Sequence, residues 1–238
     1  MRKLTLLITI ALFCAFNISV GQSITKSFNF ENPEIISNEE GFVYFEFPNC
    51  INYAEEGDPL MPHLAIDLLV PQGEIIKSVK IESVSYTDMI ADIKILPASR
   101  PFPISQKVPE NYKPIPNQKI YSSSNVYPLE SIESISTQFL SGHPIGSFSI
   151  CPVQYFSAQN QVKFIKSISL KVETAIDTRA QSALKFLKNT SLIEKRIEQI
   201  VDNPELLSIL QTMVLTMKMI LIFCLLLKIR ILLPLKNL

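Results

Sequence analysis

The sequence predicts an all-β fold over residues 22–176, a sandwich of two packed sheets. Three observations carry this. In Val79-Lys80-Ile81-Glu82 and in Ile168-Ser169-Leu170-Lys171-Val172, apolar and polar residues alternate strictly, the period of a strand with one buried face. Phe42-Val43-Tyr44-Phe45-Glu46-Phe47 is aromatic and β-branched, a composition that fits a pleated surface. Short runs of this kind recur between proline-bearing and polar turns, the rhythm of a two-sheet sandwich.

Along the chain, Phe28 and Phe30 alternate with Ser27 and Asn29, and the run from Phe42 ends at Pro48. His63 to Val70 is a short apolar strand closed by the turn signal Pro71-Gln72-Gly73. Pro97 to Pro116 breaks the pattern. Pro97, Pro101, Pro103, Pro109, Pro114 and Pro116 bracket Arg100, Lys107 and Lys113. Proline cannot donate to a sheet ladder, so this is an extended loop and not a central strand. Loops of that length are functional or disordered.

From Asp177 the period becomes helical. Ala180, Ala183, Leu184 and Leu187 recur at helix spacing, and Ser191-Leu192-Ile193-Glu194 reads as a capping box. Ile193, Ile197, Ile200 and Val201 line one face, and Asn203-Pro204 ends it. Residues 177–209 are therefore a helical connector.

The ends differ in character. Arg2 and Lys3, the apolar run Leu4 to Phe16, and small residues at Ser19-Val20-Gly21 predict a secretory signal peptide over residues 1–21, cut between Gly21 and Gln22; an uncleaved anchor helix is the alternative. Secretion or display at a bacterial cell surface follows. Phe13 before Cys14 argues against a lipoprotein signal.

Composition excludes other classes. Basic and acidic residues number 22 each; no basic stripe stands ready for phosphates, so no nucleic-acid partner is expected. There is no glycine-rich phosphate loop and no clustered metal-ligand spacing, so no cofactor or metal is expected. His63 and His143 are the only two histidines, and neither lies near a nucleophile pattern; no catalytic residue is assigned. Glu39-Glu40 and Glu55-Glu56 read as solvated turns. Cys50 and Cys151 are either a disulfide formed in an oxidising compartment or two buried free thiols.

Gly57-Asp58-Pro59-Leu60-Met61-Pro62 reads chemically as a rigid, proline-bracketed lead-in to a strand. It resembles the Gly-x-Pro-x-x-Pro element of the gingipain pro-segments, peptidase family C25, where the same strand and Pro-x-Gly turn follow. Ile95-Leu96-Pro97 is similar to that family's next landmark, and Cys151-Pro152-Val153-Gln154-Tyr155 to its Pro-Val-x-Tyr signature. The alternating strand Phe164 to Val172 follows at the expected distance. The resemblance spans residues 24–205. It implies a β-sandwich prodomain preceding a caspase-like cysteine peptidase domain, its partner in cis, which the pro-segment helps to fold and holds latent. None of the family's catalytic motifs has a match here. In this reading Arg100, Lys107 and Lys113 are candidates to place a basic side chain in the enzyme's specificity pocket, and Arg179 and Arg196 are candidate processing sites.

Residues 210–238 form an apolar tail without an acidic residue. Leu206 to Leu227 carries only the charge of Lys218 and is long enough to span a bilayer, which would tether a surface β-sandwich binding module. The genetic code offers another origin. One shifted frame turns Met213-Val214 into a glycine, Met217-Lys218 into a glutamate, Met219-Ile220 into an aspartate and Phe223-Cys224 into a leucine; the other shifted frame meets stops at Met217-Lys218 and Met219-Ile220. The open frame permits a polar turn and then a hydrophobic strand. That predicts a frameshift near Leu210, with the tail standing where a peptidase domain would begin.

Overall fold

The computed structural model describes residues 23–109 and 112–209, with Met219, Ile222, Phe223 and Leu225 as further single positions. The expected leader and nearly all of the apolar tail lie outside the described residues. Among those described, no helix is long and apolar enough to cross a membrane.

The described residues form ten strands: β1 (Ser23–Asn29), β2 (Glu34–Ser37), β3 (Val43–Glu46), β4 (Cys50–Tyr53), β5 (Met61–Leu69), β6 (Glu74–Tyr86), β7 (Ile132–Leu140), β8 (His143–Ile150), β9 (Val153–Phe156) and β10 (Gln161–Ile176). Among the described residues, α1 (Gln118–Tyr121) lies between β6 and β7, and α2 (Thr178–Ala183) and α3 (Ser191–Glu198) follow β10. One sheet runs β1-β10-β6, with β9 pairing the first residues of β10; the other runs β4-β5-β8-β7; β2 and β3 form a separate hairpin. Every pairing between these strands is antiparallel. The all-β sandwich expected from the sequence is the fold.

Its main core lies between the two sheets. Ile165, Ile168, Leu170 and Val172 of β10 and Ile76 of β6 face Ile66 and Leu68 of β5 and Phe148 and Ile150 of β8. The alternation at Ile168–Val172 is realised in full. That at Val79–Glu82 is not: Val79 packs into the core, but Ile81 is exposed. Ile81 nonetheless shares the face of Val79, for it pairs with the buried Leu170 as Val79 pairs with Val172; two register shifts against β10 flank this stretch, one between Ile76 and Ser78 and one between Ile81 and Ser83. Each leaves one extra residue, Lys77 and Glu82, and so reverses which face the next side chains take. Ile76, Val79, Val84 and Tyr86 thereby all reach the core despite their odd spacings.

A second core lies beside it, where β3 meets β9 and the start of β10. Phe45 and Phe47 meet Phe164 edge-on at 5.0 and 5.6 Å, contacts worth about 0.5–1.5 kcal/mol each beyond area burial. Ile95, Cys151, Val153 and Tyr155 complete it, each with no exposed surface.

The connector is packed against the sandwich. Ile197, Val201 and Leu207 bury against Leu69 and Ile145. β4 pairs β5 only from Met61 to Leu64, which leaves the backbone of Asp67 and Leu69 open on that side. Asp202 N–H donates to the Asp67 carbonyl at 2.7 Å, and Asp67 N–H donates to the Asp202 carboxylate at 2.9 Å. The Asn203 side chain accepts from Leu69 N–H at 2.7 Å and donates to the Leu69 carbonyl at 3.0 Å. One segment thus completes the strand's hydrogen bonding where β4 stops. The expected capping box is out by one residue. The residue before the helix is Thr190, whose side chain makes no capping bond, and Ser191 is already helical. The third helical position, where a capping box places its Glu or Gln, is then Ile193, and Glu194 is the fourth.

Candidate functional site

The proline-rich segment is the most irregular long stretch of the described chain, and the Gly-x-Pro element holds both of its ends. Gly57 N–H donates to the Ala98 carbonyl at 2.9 Å, and Ala98 N–H to the Asp58 carbonyl at 2.8 Å. At the far end Asn117 N–H donates to the Gly57 carbonyl at 2.8 Å, and the Asn117 amide to the Asp58 carboxylate at 2.7 Å. Residues 98–117 therefore leave and return at one point. Gly57 has φ +85°, and a Cβ there would lie 2.6 Å from the Ile115 carbonyl oxygen. A side chain is excluded both by backbone conformation and by space. This is the physical content of the glycine in that motif.

Within the loop, the base is ordered and the tip is exposed. The Arg100 guanidinium lies 4.9 Å from the Phe102 ring centroid and 5.4 Å from that of Tyr112, a cation–π arrangement. The two rings meet edge-on at 4.9 Å. The Tyr112 hydroxyl accepts from Arg100 N–H at 3.2 Å and donates to Glu56 at 3.1 Å. Lys113 forms an ion pair with Glu40, and that hydrogen bond holds its ammonium above the ordinary lysine value. Lys107 is exposed, near a turn in which Gln106 N–H donates to the Pro103 carbonyl at 2.9 Å. Its neighbours Ile104 and Val108 are also exposed, at 106% and 53%. Of the three basic candidates, Lys107 is the one whose charge no described carboxylate or ring engages.

Arg179 and Arg196 stand elsewhere, on the packed connector. Arg179 is in the first turn of α2, where Asp177 caps the helix by accepting from Arg179 N–H at 2.8 Å and Ala180 N–H at 3.3 Å. Arg196 is exposed in the last turn of α3, beside the buried Ile197. Gly21 and Gln22 lie outside the described residues.

The histidines and cysteines have interior settings. His143 is buried, with Nε2 at 3.1 Å from the Lys188 carbonyl. His63 is buried with its ring stacked on Tyr53 at 3.9 Å, and burial lowers its pKa to about 4. Cys50 and Cys151 are free thiols. Cys50 faces Leu64 across one strand pair, and Leu64 faces Ile150 across the next. Burial raises the two thiols to about 11 and about 12.

Comparison with known proteins agrees with this architecture. A search of curated proteins finds no match. Among solved structures, the complex of Porphyromonas gingivalis RgpB pro- and mature domains is similar over 79% of this chain and 95% of that one, at TM-score 0.62 and 18% identity. A structure of gingipain K from Porphyromonas gingivalis, described as giving insight into zymogenic latency, is similar over 68% and 91%, at TM-score 0.54 and 22% identity. These likenesses are of fold. The sequence profile of the Propeptide_C25 family matches residues 16–205, and so this chain belongs to the Propeptide_C25 family.

Proposed function

We propose that this chain is the pro-segment of a secreted gingipain-like cysteine endopeptidase, which it helps to fold and holds latent by non-covalent cover of the active-site cleft. The observation that carries the reading is the loop at residues 98–117, held at both ends by Gly57 and Asp58, with a tip that exposes Lys107 between Ile104 and Val108. A pinned base reduces the entropy lost when the tip docks, and an exposed apolar tip gains from being covered. Lys107 is the side chain assigned to the specificity pocket. Arg100 and Lys113 hold the loop base in shape through Phe102, Tyr112 and Glu40. The rival reading, a membrane-tethered binding module, rests on the apolar tail, outside the described residues.

The test is inhibition of the C25 peptidase domains of the source organism by the recombinant chain, with peptide substrates bearing lysine or arginine before the scissile bond. Lys107→Ala is expected to weaken inhibition about 30-fold, the size of a hot-spot side chain of roughly 2 kcal/mol. Arg100→Ala and Lys113→Ala act indirectly and weaken it less. Inhibition unchanged by all three substitutions defeats the loop mechanism; no inhibition by the unaltered chain defeats the pro-segment reading.

A further inference from the structure

On the far side of the Gly57–Asp58 clamp lies a cavity of about 240 Å³, between the end of β4, the start of β5 and the approach to β7. Glu55, Asp58 and Glu133 line it, with Tyr53, His63 and Tyr127 as aromatic walls, and no basic side chain is among its described lining. Three carboxylates facing one space without a counter-ion are unfavourable unless a cation enters. The Tyr127 phenol in the cavity wall registers them: burial first, and then Asp58, Glu133 and Glu55 among the nearby groups, push it up to about 12.

The histidine is an independent sign. His63 is 7% exposed, forms part of the cavity wall, and its Nδ1 has no hydrogen-bond partner. Buried polar atoms are rarely left so. The ring is stacked on Tyr53, which itself stands 46% exposed at the end of the edge strand β4. Carboxylates and a neutral imidazole accept hydrogen bonds, and the phenol rings present π faces to a cation. A guanidinium, planar with five donors, meets these requirements, and an ammonium meets most of them.

We propose that this cavity receives one basic side chain, arginine or lysine, from the surface of the peptidase that the pro-segment covers. The inference rests on the pro-segment reading for its occupant, while the chemistry of the cavity stands by itself. Two further features place the partner here. Asp58 serves both the cavity wall and the loop clamp, so a protein that seats on the loop passes beside the cavity. Ile51 on β4 is 71% exposed, and Leu129, next to the lining residue Pro128, is 80% exposed. Exposed apolar surface beside the cavity is surface that a partner gains by covering.

The experiment has two arms. In the first, the full chain at low salt is titrated with agmatine, a free guanidinium probe, while histidine-ring and tyrosine nuclear magnetic resonance signals are followed. Saturable shifts at His63 and Tyr127 are expected, weakened about fivefold or more in Glu55→Gln/Glu133→Gln and in 0.5 M salt, as charge pairing at a half-buried site requires. Glu55→Gln alone, at an exposed position, gives a second reading should the double variant fold poorly. Absence of saturable shifts, or equal affinity in the variants, overturns the site. The second arm measures inhibition of the source organism's C25 peptidase domains. The double variant is expected to inhibit about tenfold less well; equal inhibition overturns the peptidase as occupant. Agmatine binding by a chain that inhibits none of these domains sinks the pro-segment reading, and the peptidase as occupant with it, but leaves the cation site standing.

Discussion

Replacing Asn203 by alanine removes one side chain and leaves two buried backbone groups without partners. The Asn203 amide is the acceptor for Leu69 N–H and the donor to the Leu69 carbonyl; Asn203 is 2% exposed and Leu69 has no exposed surface. Each buried group left unpaired costs about 1–3 kcal/mol. Partial admission of water would relieve one of them, so the expected loss is about 2–4 kcal/mol. For a chain of this size that corresponds to a fall in Tm of roughly 4–16 °C. The assay is thermal and denaturant unfolding of the full chain, followed by circular dichroism and by intrinsic tyrosine fluorescence. Asn203→Asp is the informative companion. It keeps an acceptor for Leu69 N–H but sets a carboxylate against the Leu69 carbonyl, and is expected to destabilise at least as much. An Asn203→Ala loss below about 0.5 kcal/mol, the range of ordinary surface changes, would refute the view that the connector completes the sheet.

Two further outcomes follow from particular positions. Gly57→Ala places a Cβ 2.6 Å from the Ile115 carbonyl at φ +85°, which costs about 1–2 kcal/mol for the left-handed conformation alone. The loop at residues 98–117 is then expected to lose amide-exchange protection at its two pinned ends while β5 and β8 keep theirs. Stability is expected to fall from pH 7 to pH 4 through His63. Burial lowers the folded-state value to about 4. The neutral ring's contribution is therefore complete above the unfolded value near 6.5, and is lost as pH falls towards 4. The full difference amounts to about 3 kcal/mol. His63→Gln flattens that part of the profile; an unchanged slope between pH 6.5 and 4 would contradict it.

The sandwich was legible because its signal is local. Alternation at Ile168–Val172, the aromatic run at Phe42–Phe47 and the turn at Pro71–Gly73 each need only neighbouring residues to be read, and each appears in place. The two register shifts in β6 were illegible for the complementary reason. The extra residues at Lys77 and Glu82 are defined only against β10, some ninety residues later. The capping box failed by one position because Thr190 and Ser191 are both plausible helix starts, and packing of Ile193 and Ile197 on Leu69 and Ile145 sets the helix phase. In the candidate loop, proline density announced an irregular segment. The stacking of Arg100 on Phe102 and Tyr112, which removes it from the free cations, was not announced. Asn203 is the clearest case. Before a proline it reads as a helix terminator, while its amide bridges to a strand 134 positions earlier.

That long-range clasp bears on where the connector can be cut. A peptidase takes its substrate extended, so a helical site must first open. At Arg196 opening unwinds the last turn of α3 and draws out Ile197, which has no exposed surface. Exposing that side chain costs about 1.5–3 kcal/mol, which lowers the cleavable fraction by about 10–150-fold when opening is fast. At Arg179 the first turn of α2 is held mainly by the Asp177 cap and by Ala180, a small buried residue; losing a cap costs about 1 kcal/mol. An arginine-specific endopeptidase, used at low dose and followed by mass spectrometry, is therefore expected to cut after Arg179 before it cuts after Arg196. Asn203→Ala should speed the cut at Arg196 and leave that at Arg179 nearly unchanged, because Asn203 and Ile197 hold the same packed segment while α2 is held by Asp177. If both sites are cut at equal rates in the unaltered chain, or if Asn203→Ala speeds both alike, the connector opens as one unit and Asn203 does not govern access to Arg196.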